Sequence, residues 1–186
     1  INMGVKQDTG AGIFQNNPEH FKSFNGTKVD SAALKDMDFQ DLNVAVIGLD
    51  QFSVSHLDRI CQQAASVKVF QIEPQFVMPS TSRTLQRVLN HPLISKNKNL
   101  ISNRIKGLLS LRFLEQQVKN PWLRRQLMPN LAAANRHYFK SDSFYIALQR
   151  ENCQLITWPI LKISDHAIHC IHGENYPVDV IIQTFK

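Results

Sequence analysis

Gly48-Leu49-Asp50-Gln51-Phe52-Ser53 is the six-residue segment whose types and spacing point most directly to chemistry. It follows a continuous apolar, β-branched run, Leu42 to Ile47 (LNVAVI). It opens a segment, Phe52 to Ala65, in which Val54, Leu57, Ile60, Cys61 and Ala64 recur at helical spacing. A buried strand, a sharp turn and a helix in that order aim the unpaired N–H groups of the helix's first turn at whatever lies above it, which suits the phosphates of a dinucleotide. In the G-x-G-x-x-G form of this turn the first glycine bends the chain. The second lets pyrophosphate approach the backbone, and the third lets helix and strand pack closely. Gly48 keeps the first role and Ser53 is small enough for the third, but Asp50 sets a carboxylate where phosphate belongs. An acidic side chain there is itself favourable to the helix by roughly 0.3–1 kcal/mol. Gly48, Leu49, Asp50, Gln51, Phe52 and Ser53 therefore form either a modified nucleotide cradle or a turn whose helix is capped from within.

A second apolar run, Val67 to Gln71 (VKVFQ), completes strand, turn, helix and strand within the span of a right-handed βαβ crossover. In such a unit the residue that senses the adenosine ribose lies about 20 residues past the glycines, at the end of the second strand. Gln71 and Glu73 occupy that neighbourhood. Either can accept from ribose hydroxyls, or both are simply solvent-facing strand ends. Glu73 would repel a 2′-phosphate and no arginine stands nearby, so NAD is expected to be less disfavoured than NADP.

Other chemistries have weaker support. His166, His169 and His172 lie three apart, a spacing that alternates faces on a strand, and no acidic or thiol set completes a ligand group, so no metal site is expected. Cys61, Cys153 and Cys170 are widely spaced, without a C-x-x-C pair and odd in number. They read as small buried side chains of a reduced, cytoplasmic protein rather than as a disulfide framework. The net charge is +6, and between Arg83 and Arg136 eleven Lys or Arg face a single acid, Glu115. Aromatic residues are not interleaved with these cations as base-stacking platforms would be, so a solvated basic surface is expected and nucleic acid is not.

The elements that must position the turn are legible around it. Residues 1–40 read as an extended lead-in, and residues 41–186 as one nucleotide-binding domain. From Pro79 to about Leu131 the chain turns helical and basic, with LLSLRFLEQQV as its clearest amphipathic stretch, and this reads as an insertion. Strand signals return at CQLIT, ILKI, AIHCI and VDVII; the middle two are expected to form a hairpin and the last to re-enter the central sheet. The predicted fold is α/β and Rossmann-like, of the FAD/NAD(P)-binding kind: three layers with a central parallel sheet, a small β-hairpin and a helical insertion. No apolar run approaches the roughly 20 residues of a membrane-spanning helix.

Read together, VAVIGLDQFSVSHLDRICQQAASVKVFQIEPQFVMP resembles, without a gap, a stretch of the Baeyer–Villiger and related flavin-containing monooxygenases, where the pattern is VAVIG-x-G-x-S-A, a helix, then V-x-V-F-Q-R-T-P-x-W-V-x-P. The resemblance continues through VKNPWLRRQLMPN, SFYIALQRENCQLITWPILKI and YPVDVII, and so covers most of the chain. Upstream, the family pattern F-x-G-x-x-x-H-x-x-x-W falls on Phe24, Gly26, Asp30 and Leu34, keeping the first two residues and losing the last two. The resemblance implies an NAD(P)H-binding domain that passes hydride to FAD for oxygen insertion, the FAD being held by a flavin domain of the same parent chain. It implies that Arg136 is the catalytic arginine near the flavin. It also implies that the two cations gripping the NADP phosphate are replaced by Ile72 and Asn135. Asn2-Met3-Gly4 and Thr184-Phe185-Lys186 match the crossings between the two domains, so an excised or surviving domain is expected. NADP or NAD binding is expected to be weak or lost, and the domain either serves a monooxygenase or persists as a non-catalytic or interaction domain.

Overall fold

The computed structural model describes residues 21–80, 98–132 and 136–184, with the backbone alone for residues 98–102. In chain order its strands are β1 (Thr27–Asp30), β2 (Asn43–Ile47), β3 (Ser66–Phe70), β4 (Phe76–Met78), β5 (Tyr138–Lys140), β6 (Cys153–Ile156), β7 (Ile160–Ile163), β8 (Ala167–Cys170), β9 (Asn175–Pro177) and β10 (Val180–Gln183). The α-helices are α1 (Gln51–Gln63), α2 (Lys98–Gln117), α3 (Pro121–Gln126) and α4 (Phe144–Ala147), and a 3-10 turn spans Ser31–Asp36.

The central sheet runs β1-β10-β2-β3-β6 and every pairing in it is parallel. LNVAVI lies near its middle because it is apolar at every position, as a strand buried on both faces requires. Val44 and Val46 point to one face, packing with Leu57 and Ile60 of α1 and with Phe144 of α4. Ala45 and Ile47 point to the other, packing with Ile160, Ile163 and Ile168 of an antiparallel sheet ordered β7-β8-β9. Helices, parallel sheet and antiparallel sheet make the three expected layers. The expected hairpin of ILKI and AIHCI is present as β7 and β8, and β9 extends it by one strand. VDVII re-enters the parallel sheet as β10.

The helical insertion is seen in part, since residues 81–97 lie outside the described residues. α2 buries Leu114 against the core, and Val118 just beyond its end is buried there too. α3 starts at Pro121 because Asn120 accepts the N–H groups of Trp122 and Leu123 at 2.9 and 3.3 Å, leaving the missing N–H of the proline without cost. On both sides of the insertion lie β4 and β5, a short parallel pair beside α1.

Thr27–Asp30 forms the edge strand of the parallel sheet, although TKVD carries no apolar run. Gly26 is required just before it. A Cβ at this position would stand 2.4 Å from both the Asp179 carbonyl oxygen and Phe24 Cζ. The Phe24–Gly26 pair is thus a close crossing of backbone and ring.

Candidate nucleotide site

Gly48 ends β2 with φ of 78°, a conformation that favours glycine, and its N–H donates to the Phe70 carbonyl at 3.1 Å. The chain then turns into α1 with Asp50 as N-cap. The Ser53 N–H donates to Asp50 Oδ1 at 2.8 Å, and the Asp50 N–H donates to Ser53 Oγ at 3.0 Å, a reciprocal capping box. The second carboxylate oxygen, Oδ2, accepts the hydroxyl of Ser31. Ser31 and Ser53 are both buried. Ser31 is brought to this place by the 3-10 turn, which Asp30 caps by accepting the Ala32 N–H at 2.9 Å, and which α1 holds through Arg59 donating to the Lys35 and Leu34 carbonyls.

Both oxygens of the Asp50 carboxylate therefore have donors, and the Ser53 N–H, one of those a phosphate would use, is already taken. A dinucleotide pyrophosphate at this turn would have to displace the capping box and lie against a carboxylate. Leu49 is half-buried against the core, whereas Phe52 is 45% exposed. The Gln51 side chain behaves as an added strand residue. Its Nε2 donates to the Lys140 carbonyl at 2.8 Å, and its Oε1 accepts the Lys140 N–H at 2.9 Å. α1 is thereby tied to β5.

At the end of β3 the two expected ribose-sensing residues part company. Gln71 is buried, with Nε2 donating to the Glu73 carbonyl at 3.2 Å and its Oε1 without a partner. Glu73 is exposed on the lip of a cleft of about 310 Å³ lined by Ile72, Pro74, Phe76, Asn130, Arg136 and His137 among others. Arg136 enters from the far side of the insertion; its guanidinium lies 5.8 Å from the Phe76 ring centre and donates to the Leu131 carbonyl. The structure thus groups Arg136 with Glu73 and Ile72, just beyond the end of β3. The Gly48–Ser53 turn is not among the cleft's lining. Asn135 lies outside the described residues.

Sequence reading missed Ser31 and the Lys140 peptide, because one lies before β2 and the other beyond the insertion, and neither carries a motif. Among the described residues no three His, Cys, Asp or Glu side chains gather where they could share a metal ion. His169 is instead bonded to Ser164 and Asn175, and His172 stacks on Trp158 beside Glu174. No described helix is long and apolar enough to cross a membrane.

No protein-family model matches the chain. A Baeyer–Villiger monooxygenase of Pseudomonas aeruginosa is 25% identical over 169 residues, covering 79% of this chain and 32% of that protein. The chain resembles Baeyer–Villiger monooxygenases. Its fold is shared with them as well. A structure of oxidised steroid monooxygenase bound to NADP superposes with a TM-score of 0.68 at 18% identity, covering 87% of this chain and 42% of that one. The OTEMO complex with FAD and NADP gives 0.67 at 19% identity, with 87% and 43% covered. Open cyclohexanone monooxygenase gives 0.68 at 15% identity, with the same shares. The chain spans about a third of the length of its curated Baeyer–Villiger relative and under half of each of these structures.

Proposed function

We propose that this chain is the pyridine-nucleotide domain of a cytoplasmic flavin-dependent monooxygenase, in which the phosphate cradle has been closed by the protein's own side chains. The observation that carries this reading is Asp50, which accepts from Ser53 and Ser31 on the ground a pyrophosphate would occupy. Fold and sequence likeness to Baeyer–Villiger monooxygenases support the first half of the proposal. In such a protein the nicotinamide supplies hydride to an FAD held by a flavin domain of the same parent chain. Here NADP or NAD binds weakly or not at all, and the domain keeps its fold as a non-catalytic or interaction domain.

A second reading has one observation in its favour. The cleft holding Glu73, Ile72 and Arg136 remains open to solvent at the ribose end, so the adenosine half of a nucleotide retains a place even where the pyrophosphate does not. On this reading Arg136 contacts the adenosine side of the ligand rather than the flavin.

Calorimetric titration of the full chain with NADPH and NADH separates the two. The closed cradle predicts dissociation constants weaker than about 1 mM for both, corresponding to less than roughly 4 kcal/mol of binding. A micromolar constant for NADPH overturns the proposal.

A further inference from the structure

Strands β7, β8 and β9 turn alternate side chains to opposite faces of their sheet. Ile163, Ile168, Cys170 and Tyr176 are buried on the face toward the parallel sheet. His169 belongs to the outer face, where the register sets it opposite Lys162 of β7 and Asn175 of β9. Ser164 follows β7 at the start of the hairpin turn, and its Oγ lies 2.8 Å from His169 Nε2. On the other side of the ring, His169 Nδ1 lies 2.5 Å from Asn175 Oδ1. With the Asn175 amide oxygen toward the ring, Nδ1 carries the imidazole proton and donates it there, so Nε2 presents its lone pair to the Ser164 hydroxyl. The hydroxyl has one longer alternative, the Ala167 carbonyl at 3.2 Å. The turn itself is fastened to the segment before β1: Ser23 Oγ donates to the Ile163 carbonyl at 2.8 Å, and the Asn25 N–H donates to the Asp165 carbonyl at 3.0 Å. The Ser164 N–H donates to the Ala167 carbonyl at 2.9 Å, whereas the Asp165 and His166 N–H groups have no acceptor among the described residues. Hydroxyl, imidazole and orienting amide thus stand in series on a fastened turn, and the two peptide groups that follow the serine in the chain keep their donors for an incoming oxygen.

We propose that Ser164, His169 and Asn175 form a nucleophilic site that cleaves activated carboxylic esters. Ser164 Oγ attacks the ester carbonyl carbon, the C=O electron pair moves onto its oxygen, and His169 Nε2 takes the hydroxyl proton. The tetrahedral intermediate re-forms the C=O bond and breaks the bond to the leaving oxygen, which receives the proton from His169. Water then repeats the sequence on the acyl-serine, losing a proton to His169 as it attacks, and Ser164 leaves with that proton as its hydroxyl is restored. One ester and one water become one alcohol and one carboxylic acid, with no change of oxidation state. Ser164 and His169 are the catalytic residues, and Asn175 is a positioning residue that acts through the imidazole. Ser164 and His169 are both partly exposed. On so open a face water weakens the charge stabilisation that a closed pocket would give, so the substrates are esters of good leaving groups, phenols above alkanols.

Treatment of the full chain with a fluorophosphonate probe, followed by peptide mass spectrometry, tests this directly, and release of p-nitrophenol from p-nitrophenyl acetate follows turnover. The expected result is a phosphonyl adduct on Ser164, with ester cleavage that Ser164→Ala abolishes. His169→Ala should slow labelling by at least about 100-fold, the usual worth of a general base, and added imidazole should restore part of the rate. Asn175→Leu should slow labelling by at least about 10-fold through loss of ring orientation, whereas Asn175→Asp, which still accepts from Nδ1, should keep it near the wild-type rate. Melting curves of each variant confirm that the hairpin is intact, and where a variant does not fold the wild-type adduct alone decides. No adduct on wild-type Ser164, labelling unchanged in folded His169→Ala, or equal loss in Asn175→Asp and Asn175→Leu would each overturn the proposal.

Discussion

The Ser31 hydroxyl and the Asp50 carboxylate are hydrogen-bonded to each other, joining the turn after β1 to the first turn of α1. Since Asp50 also caps the helix through Ser53, one side chain serves two elements, and the two serines share its charge. Removing it should be felt by both. Asp50→Ala is expected to cost about 1–2 kcal/mol of stability, the usual value of an N-cap. Ser31→Ala should cost about 1 kcal/mol, and the double variant less than the sum by at least about 0.5 kcal/mol. Urea unfolding of the four proteins measures the cycle; strict additivity would mean that the two side chains do not interact in solution.

Nucleotide affinity should respond to the same residue with the opposite sign. Asp50→Gly removes the carboxylate beside the shared pyrophosphate and frees the Ser53 N–H, so NADH and NADPH should both bind about ten times more tightly. Adding Ile72→Arg should strengthen NADPH alone by a further factor of about 10–100, the worth of a charged hydrogen bond, because Ile72 lines the cleft that Glu73 and Arg136 share. Equal gains for the two nucleotides on titration would show that residue 72 does not face the ribose.

Gly26→Ala should be poorly tolerated even though the position lies at the edge of the sheet. The new methyl would overlap the Asp179 carbonyl oxygen and the Phe24 ring, both 2.4 Å away, and Asp179 is itself fixed by accepting the Asn43 N–H and side-chain amide at 2.8 and 3.0 Å. Overpacking of this kind costs about 1–3 kcal/mol. The expected drop in melting temperature is several degrees, and an unchanged transition would show that the loop can move aside.

Alkaline pH should destabilise the fold through its buried acids. Burial, aided by the Glu174 charge, pushes the Cys170 thiol up to about 11 from 9.0, so the native state holds its proton where the unfolded chain releases it. That contribution is complete below pH 9 and is lost as pH rises toward 11. Burial raises the Tyr145 phenol as well, extending the effect to higher pH. Unfolding curves of wild type and Cys170→Ser across pH 8–11 should therefore converge or cross, and parallel curves would contradict the assignment.

The central sheet could be read from the chain because its strands are apolar on both faces and each ends at a recognisable turn: Gly48 after LNVAVI, SDHA between ILKI and AIHCI. TKVD could not. As an edge strand it buries only Val29, and its place beside β10 is set by pairing with residues more than a hundred positions away. The candidate site was legible in its parts. Asp50 as a cap follows from its place before a helix, and Glu73 from the length of the βαβ unit. The grouping of Arg136 with Ile72 and Glu73 was not, because it depends on how β5 returns to β4 after the insertion. Nor did the sequence announce Gln51 as a partner of Lys140, since a glutamine amide bonding a strand edge leaves no periodic trace.

β10 lies between β1 and β2 although it is the last described strand of the chain. Among the described strands, β1 therefore waits without a neighbour during synthesis, and β2 with one open side, until residues 180–183 emerge and slot between them. The helix-flanked pair β2 and β3 can form early from local contacts, but the five described strands come together only when β10 inserts. Folding of this chain should thus be late and slow relative to its helix content, with exposed parallel strand edges throughout the wait, and the interval before β10 docks is when the chain is most open to chaperones and to aggregation.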